Sequence, residues 1–394
     1  MSPMNKTNRV HRSVTTSSST RHNLKSKTSA DTSSQERNKN QPASSTRITW
    51  LVRSAILLFG IAGLVIVRYP SFIQHNTHSE GDIVAKFDDI ITPPLDPERE
   101  RLQGLDHYYM FPPKNATTNG YPKGILIYLH SCQQSGLEFF ILPEHRIIAH
   151  DAIQKGMVIF SPTSHNRKSG CFSSEDANGY LDKVVDGFVH KNKLHRLPRV
   201  GLGDSSGGAF LSFVHQALKL ESMAIYNSPE GYVDTNNEAE VIPTVYLTMS
   251  SDGYLSTRMH ANTIKLQQMN IPTHLYKVTP RPFTDSLCAA RLPELPYEFC
   301  QRIFQTIEQD YPNLLDADGF VVEGDVKSVQ WQRFFKKLES DYKTISISVS
   351  TAQPWLRVTL EQEIQSCHGF HAMTAQFHDE ILRFLMSNAK MDDN

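Results

Sequence analysis

Cysteine is scarce in this chain of 394 residues, and none of the five (Cys132, Cys171, Cys288, Cys300 and Cys367) belongs to a CxxC pair. That spacing argues against a zinc ribbon. An excess of positive charge is also missing, since the formal net charge is −1. The balance hides an asymmetry: residues 1–47 carry nine Lys or Arg against only Asp31 and Glu36, which leaves the rest of the chain acidic. A folded part of that sign lacks the basic face that a nucleic-acid-binding domain presents. No internal repeat is apparent. The odd cysteine count leaves at least one thiol unpaired in a monomer. Cys288 and Cys300 are close enough in sequence to bridge if the domain is lumenal; the alternative is that all five are plain buried residues.

Residues 1–47 are rich in Ser and Thr and nearly devoid of large apolar side chains. Such a stretch cannot bury enough surface to offset its ordering entropy, so it reads as a disordered basic tail. One long apolar run comes next at 48–67, containing LLFGIAGLVIV. As a helix of 1.5 Å rise per residue it spans about 30 Å, the thickness of a bilayer core. Residues 48–68 are therefore expected to form a single transmembrane signal anchor, with Arg53 snorkelling and Trp50 and Tyr69 at the interfaces. The basic flank precedes the span, which keeps the N-terminus cytosolic and sends the C-terminal part to a lumenal or extracellular side. A Ser/Arg-rich, acid-poor leader also resembles a transit peptide, so an organelle membrane is the alternative. Asn115-Ala-Thr is a glycosylation sequon usable on the far side. Residues 69–103, with Pro93, Pro94 and Pro97, read as a stalk.

From residue 104 to 394 the pattern alternates. Apolar runs at 124–130 (GILIYLH), 157–162, 199–203, 222–227, 244–249 and 273–278 read as buried strands. Amphipathic stretches at 144–155, 180–191 and 207–220 separate the first four, and one at 257–269 separates the last two. That alternation predicts an α/β fold with a mostly parallel central sheet and helices on both faces.

Residues 197–210 read LPRVGLGDSSGGAF, a G-x-S-x-G between a strand-like and a helix-like run. A nucleophilic Ser on a strained strand-to-helix turn needs this spacing, because Gly203 and Gly207 stand where a Cβ would collide with backbone. The five letters alone are weak; the strand–turn–helix context carries the weight. A plain Gly/Ser-rich turn is the bland alternative. A chymotrypsin-like reading of GDSSGG fails, because those enzymes are paired β-barrels with His and Asp upstream.

Residues 124–136 (GILIYLHSCQQSG) form a strand and turn that would supply a second oxyanion donor, from the N–H of Ser131, Cys132 or Gln133. Ser206, immediately after the nucleophile, supplies the first. Asp252 closes the strand TVYLTM at its C-terminal end, where open α/β sheets bind ligands, and is the candidate acid. Asp234 and Asp285 end no such strand. For the base, residues 366–385 offer His368, His371 and His378. His371 precedes the final amphipathic helix on a loop, His378 falls on that helix's polar side, and His368 is the competitor. Ser205, Asp252, His371 is the order of an α/β-hydrolase triad.

Residues 281–350 interrupt the plan with many Pro and aromatic residues and read as a lid-like subdomain shaping substrate access. Within it, 314–325 glances at a calcium loop. However, Leu314 occupies the first ligand position and Asp325 replaces the bidentate Glu, so a turn into an FVV strand is the reading.

At these motifs the chain resembles a group of plant and algal α/β-hydrolase-like proteins of the serine hydrolase superfamily. The matching pieces are GILIYLHSCQQSG, SHNRKSGCFSSED, GLGDSSGGAF, PTVYLTMSSDGYLS, PRPFTDSLCAARLPEL, NLLDADGFVVEGD and GFHAMTAQFHDEILRFL, across most of 104–386. The resemblance implies an α/β-hydrolase fold with an insertion near the C-terminus, and it favours His371 over His368. Ser131 in place of the usual Gly departs from the pattern. The expectation is a membrane-anchored serine hydrolase cleaving an ester, thioester or amide of a small-molecule or lipid-like acyl substrate. Such a relay needs neither metal nor organic cofactor, and no nucleic-acid partner is expected. The alternative is a hydrolase-shaped binding or receptor module without catalysis.

Overall fold

The computed structural model describes residues 90–177, 179–229, 241–344 and 353–389. The basic tail, the 48–68 segment and Asp234 lie outside them. Among the described residues no helix is long and apolar enough to cross a membrane.

Eight strands form one sheet: β1 (Glu98–Leu102), β2 (Leu105–Met110), β3 (Gly124–Leu129), β4 (Met157–Ser161), β5 (Arg199–Asp204), β6 (Ser222–Tyr226), β7 (Thr244–Met249) and β8 (Thr273–Val278). Their order is β1-β2-β4-β3-β5-β6-β7-β8. β2 pairs antiparallel with β1 and β4, whereas the pairs from β4 through β8 are parallel. The five strands β3 to β7 are buried along their whole length. Strands covered on both faces read as continuous apolar runs, which is why the sequence pattern finds them. The pleat then divides their side chains. Leu126 and Tyr128 of β3 join a core beneath α1 (Pro143–Gln154), while Ile125, Ile127 and Leu129 join the opposite core beneath α2 (Leu181–Lys191). Further helices are α3 (Ser206–Val214) and α4 (Gly253–Gln268), with short helical turns at Glu138–Ile141 and Ser174–Ala177.

Between β8 and the last helix, the chain builds α5 (Asp285–Arg291), α6 (Tyr297–Asp310), α7 (Val329–Thr344) and α8 (Gln353–His368), then α9 (His378–Ser387). The insertion has a core of its own, centred on Trp331, Phe334, Phe335, Ile303 and Ile364. A Cys288–Cys300 disulfide ties α5 to α6, and Cys367 is buried. The insertion runs to 368 rather than 350, because α8 contributes Leu360, Ile364 and Cys367 to that same core.

Two further expectations are corrected. Residues 90–103 are not all stalk: β1 belongs to the sheet, and Leu95 N–H donates to Phe140 O at 2.9 Å. β1 (ERERL) escapes a hydrophobic pattern because an edge strand carries charges that discourage edge-to-edge pairing. The calcium-loop look-alike is an Asx turn, with Asp316 Oδ1 accepting from the N–H groups of Asp318 (3.0 Å) and Phe320 (2.8 Å). This turn is closed by an isolated Leu315–Val321 bridge and leads into no FVV strand.

Candidate active site

β5 ends at Asp204 and α3 begins at Ser206, so the turn between them is Ser205 alone. Ser205 has φ +50° and ψ −113°, a conformation that costs an L-residue about 1–3 kcal/mol. Its N–H donates to Tyr226 O and its carbonyl accepts from Ala209 N–H, both at 2.9 Å, which fixes the turn from two sides. Glycine makes the room. A Cβ on Gly203 would meet the backbone of Gly207, and one on Gly207 would run into the carbonyl oxygens of Leu129 and His130. The G-x-S-x-G spacing is thus a contact requirement, and it presses the elbow against the end of β3.

The structure brings Ser205, His371 and Asp252 together. Ser205 Oγ lies 2.9 Å from His371 Nε2, and His371 Nδ1 lies 3.4 Å from Asp252 Oδ2. These partners assign the tautomer: the Ser205 hydroxyl donates to Nε2, and Nδ1–H points at the carboxylate. Asp252 caps α4, with Oδ1 accepting from Leu255 N–H at 3.2 Å, so Oδ2 is left to face the ring. The 3.4 Å contact is long; contacts of this kind tighten once substrate is bound.

The competing residues lie elsewhere. His368 Nδ1–H donates to Val321 O at 2.9 Å, and its ring packs over Gly324 in the insertion. His378 opens α9 and donates from Nδ1 to Ala375 O at 2.8 Å. Asp285 accepts from Tyr297 Oη at 2.8 Å within the insertion.

His371 has φ +40°, so its loop must be held from outside. Asn227 Nδ2 donates both to Ala372 O (2.7 Å) and to Asp204 Oδ1 (3.0 Å). Burial pushes the Asp204 carboxyl up, with His371 and the Asn227 bond offsetting part of that rise. Ser251 N–H donates to Gly369 O at 2.9 Å. Sequence reasoning singled out neither Asp204 nor Asn227. Their one signal is that each sits at the C-terminal end of an apolar strand, as Asp252 does.

Ser206 N–H is the first of α3 and has no acceptor within its helix. Of the three donors expected after β3, Gln133 N–H is taken by Ser169 O at 2.9 Å. Ser131 and Cys132 remain. Neither lines the cleft at Ser205, whereas Ser206 does. The buried His130 fixes their turn: Nδ1–H donates to Ser131 O (2.7 Å) and Nε2 accepts from Ser164 N–H (3.1 Å). Burial lowers the His130 pKa to about 4, so the ring is neutral at pH 7 and keeps both bonds.

Cys132 is bonded to Cys171, across 39 residues of sequence, a pairing that the spacing did not suggest. The bridge ties the turn after β3 to the segment after β4 that supplies Phe172, Ser173 and Ser174 to the cleft. Asp176 holds the same segment by accepting from the N–H groups of His165 (2.6 Å) and Ser173 (2.9 Å). A Cys132→Ser substitution is expected to lower stability by about 4 kcal/mol, as loops of this length imply, and to slow turnover. A thermal melt and an initial rate check both; two unchanged values would mean that the bridge holds nothing at the site.

The cleft has a volume of about 600 Å³. Its apolar side is Phe172, Phe210, Phe213 and Leu255. The Phe172 and Phe210 rings stack at 5.5 Å, and Phe213 is 62% exposed. The polar side consists of Ser173, Ser174, Ser228 and Asn227, and among the described lining residues His371 is the one titratable group. No described residue of the 281–368 insertion lines the cleft.

No protein-family model matches the chain, and no curated protein matches it. Solved structures similar to it include a dienelactone hydrolase from Anabaena variabilis, 13% identical over 50% of this chain and 96% of that one, at a TM-score of 0.34. A thermophilic esterase from Thermogutta terrifontis is 11% identical over 56% and 94%, at 0.36. Carboxyl esterase 2 from Tuber melanosporum is 11% identical over 55% and 86%, at 0.37. Scores this low carry no argument about chemistry.

Proposed function

We propose that the chain is a serine hydrolase of the α/β-hydrolase type, cleaving an ester, thioester or amide through an acyl-enzyme on Ser205. The observation that carries this reading is the 2.9 Å contact of Ser205 Oγ with His371 Nε2, made on a strained turn that opens onto a cleft. Ser205 Oγ attacks the substrate carbonyl carbon as its proton passes to Nε2. Asp252 Oδ2 accepts Nδ1–H and stabilises the imidazolium. The tetrahedral oxyanion receives Ser206 N–H and one donor from Ser131 or Cys132. His371 then gives the Nε2 proton to the leaving alkoxide, thiolate or amine, and water repeats the sequence on the acyl-enzyme.

The lining supports an uncharged acyl group. A carboxylate buried against Phe172 and Phe213 would find no cation among the described lining residues, and an unpaired buried charge costs well over 1.4 kcal/mol, the equivalent of about tenfold. A neutral 4-nitrophenyl ester is expected to turn over with an initial burst and a kcat/KM at least about tenfold above that of a carboxylate-bearing analogue. Absence of both burst and turnover in a folded protein would favour the non-catalytic binding module.

For location, the reading is a type II membrane protein anchored by 48–68, its hydrolase part lumenal or extracellular or across an organelle membrane. Support comes from the basic flank before the apolar run, from two disulfides, which persist in oxidising compartments, and from the exposed sequon residue Asn115.

A further inference from the structure

One buried charged cluster takes no part in that reaction, yet it meets the histidine loop. Glu144 on α1 is 1% exposed, and its carboxylate accepts four hydrogen bonds. Oε1 accepts from Arg291 Nε at 2.7 Å and Arg281 Nη2 at 3.2 Å. Oε2 accepts from Ala375 N–H at 2.7 Å and Thr374 Oγ1 at 3.1 Å. An ionised carboxylate has about four lone-pair sites, so all are used. Two donors come from the insertion and two from the loop three and four residues past His371.

We propose that Glu144 is a positioning residue for His371, coupling the 281–368 insertion to the loop that carries the imidazole. The inference rests on the reading of Ser205 and His371 as nucleophile and base. It gives the insertion a role that covering the cleft does not. The charges around Glu144 suit a carboxylate that stays ionised. Burial alone would raise its pKa, but Arg291, Arg281 and the Ala375 N–H outweigh burial and hold it down. Glu363, 3.8 Å from Arg281 Nη2, is pushed up by burial and by the charge on Glu144. Arg146 is paired with Glu294 at 2.5 Å and donates to Arg291 O at 3.0 Å, which completes the charged groups facing the cluster.

A buried ion cluster of this kind is a weak way to gain stability, since packed apolar residues often do better. What it supplies is geometry. The backbone at His371 is left-handed, and its loop is tied at Gly369 and Ala372 from the β6–β7 side. Glu144 is the tie on the insertion side. A neutral amide at 144 would aim an NH₂ group at two guanidinium groups or at two N–H/O–H donors, so one end of the clasp must open.

In Glu144→Gln, kcat is expected to fall about 10- to 100-fold while KM stays within about twofold, since a 1 Å displacement of a reacting group costs on the order of 10²-fold. The second readout is independent of turnover: the His371 ring resonance, assigned with His371→Ala, shifts or broadens while that of His107, on the edge-side strand β2, does not. Thr374→Val removes one hydroxyl donor without unpairing the charge. It should move both readouts the same way by less, and it decides the matter if Glu144→Gln does not fold. Folded variants with wild-type kcat and an unmoved His371 resonance would overturn the coupling. A wild-type protein without turnover whose His371 resonance still responds would overturn the hydrolase reading and leave the coupling standing.

Discussion

Replacing Ser205 by alanine is expected to lower kcat by about 10⁴-fold or more with little change in KM, as losses of triad members do. The substitution is a clean one. Alanine keeps the Cβ, so the strained φ of +50° is neither relieved nor worsened, and the backbone bonds to Tyr226 O and from Ala209 N–H do not involve the side chain. What is lost is the hydroxyl that donates to His371 Nε2. Far-ultraviolet circular dichroism and a thermal melt should match the wild type. Initial rates with a neutral 4-nitrophenyl ester give the comparison, and a variant within about tenfold of wild type would mean that the acyl group is carried elsewhere or not at all.

His371→Ala is expected to cost turnover on a similar scale, because Ser205 then has no base to take its proton. The informative companion is His368→Ala. His368 donates to Val321 O and packs over Gly324, so its loss should disturb the local packing of α8 within the insertion and leave kcat within about tenfold of wild type. The pair separates two imidazoles only three residues apart. Equal losses in both variants, with both proteins folded, would contradict the assignment of the base.

The central sheet was legible in the residues because amphipathic stretches separate β3, β4, β5 and β6 from one another and β7 from β8, and strands buried on both faces announce themselves as apolar runs. Ser205 was legible because its glycines are needed by contact, and Asp252 because it closes a strand. The β1–β2 hairpin was not. ERERL has its charges on an edge strand, where pattern and structure part company. Glu144, inside an amphipathic stretch, looks like any solvated carboxylate; its partners are more than 130 residues away, and nothing local marks it as buried. The Cys132–Cys171 bridge was hidden for the same reason, a separation of 39 residues closed only by the sheet. The lid reading of the insertion rested on size and aromatic content, which also describe a domain with its own core around Trp331. The proposed second oxyanion donor, at Ser131 or Cys132, is a backbone N–H, a group that leaves no mark in a sequence.

The most direct measurement is the mass of the protein after reaction with a fluorophosphonate, with mapping of the modified peptide. The account predicts a single adduct on Ser205, absent in Ser205→Ala and formed far more slowly in His371→Ala. A folded protein that takes up no adduct, or carries it on another residue, would contradict the claim that this hydroxyl is the nucleophile.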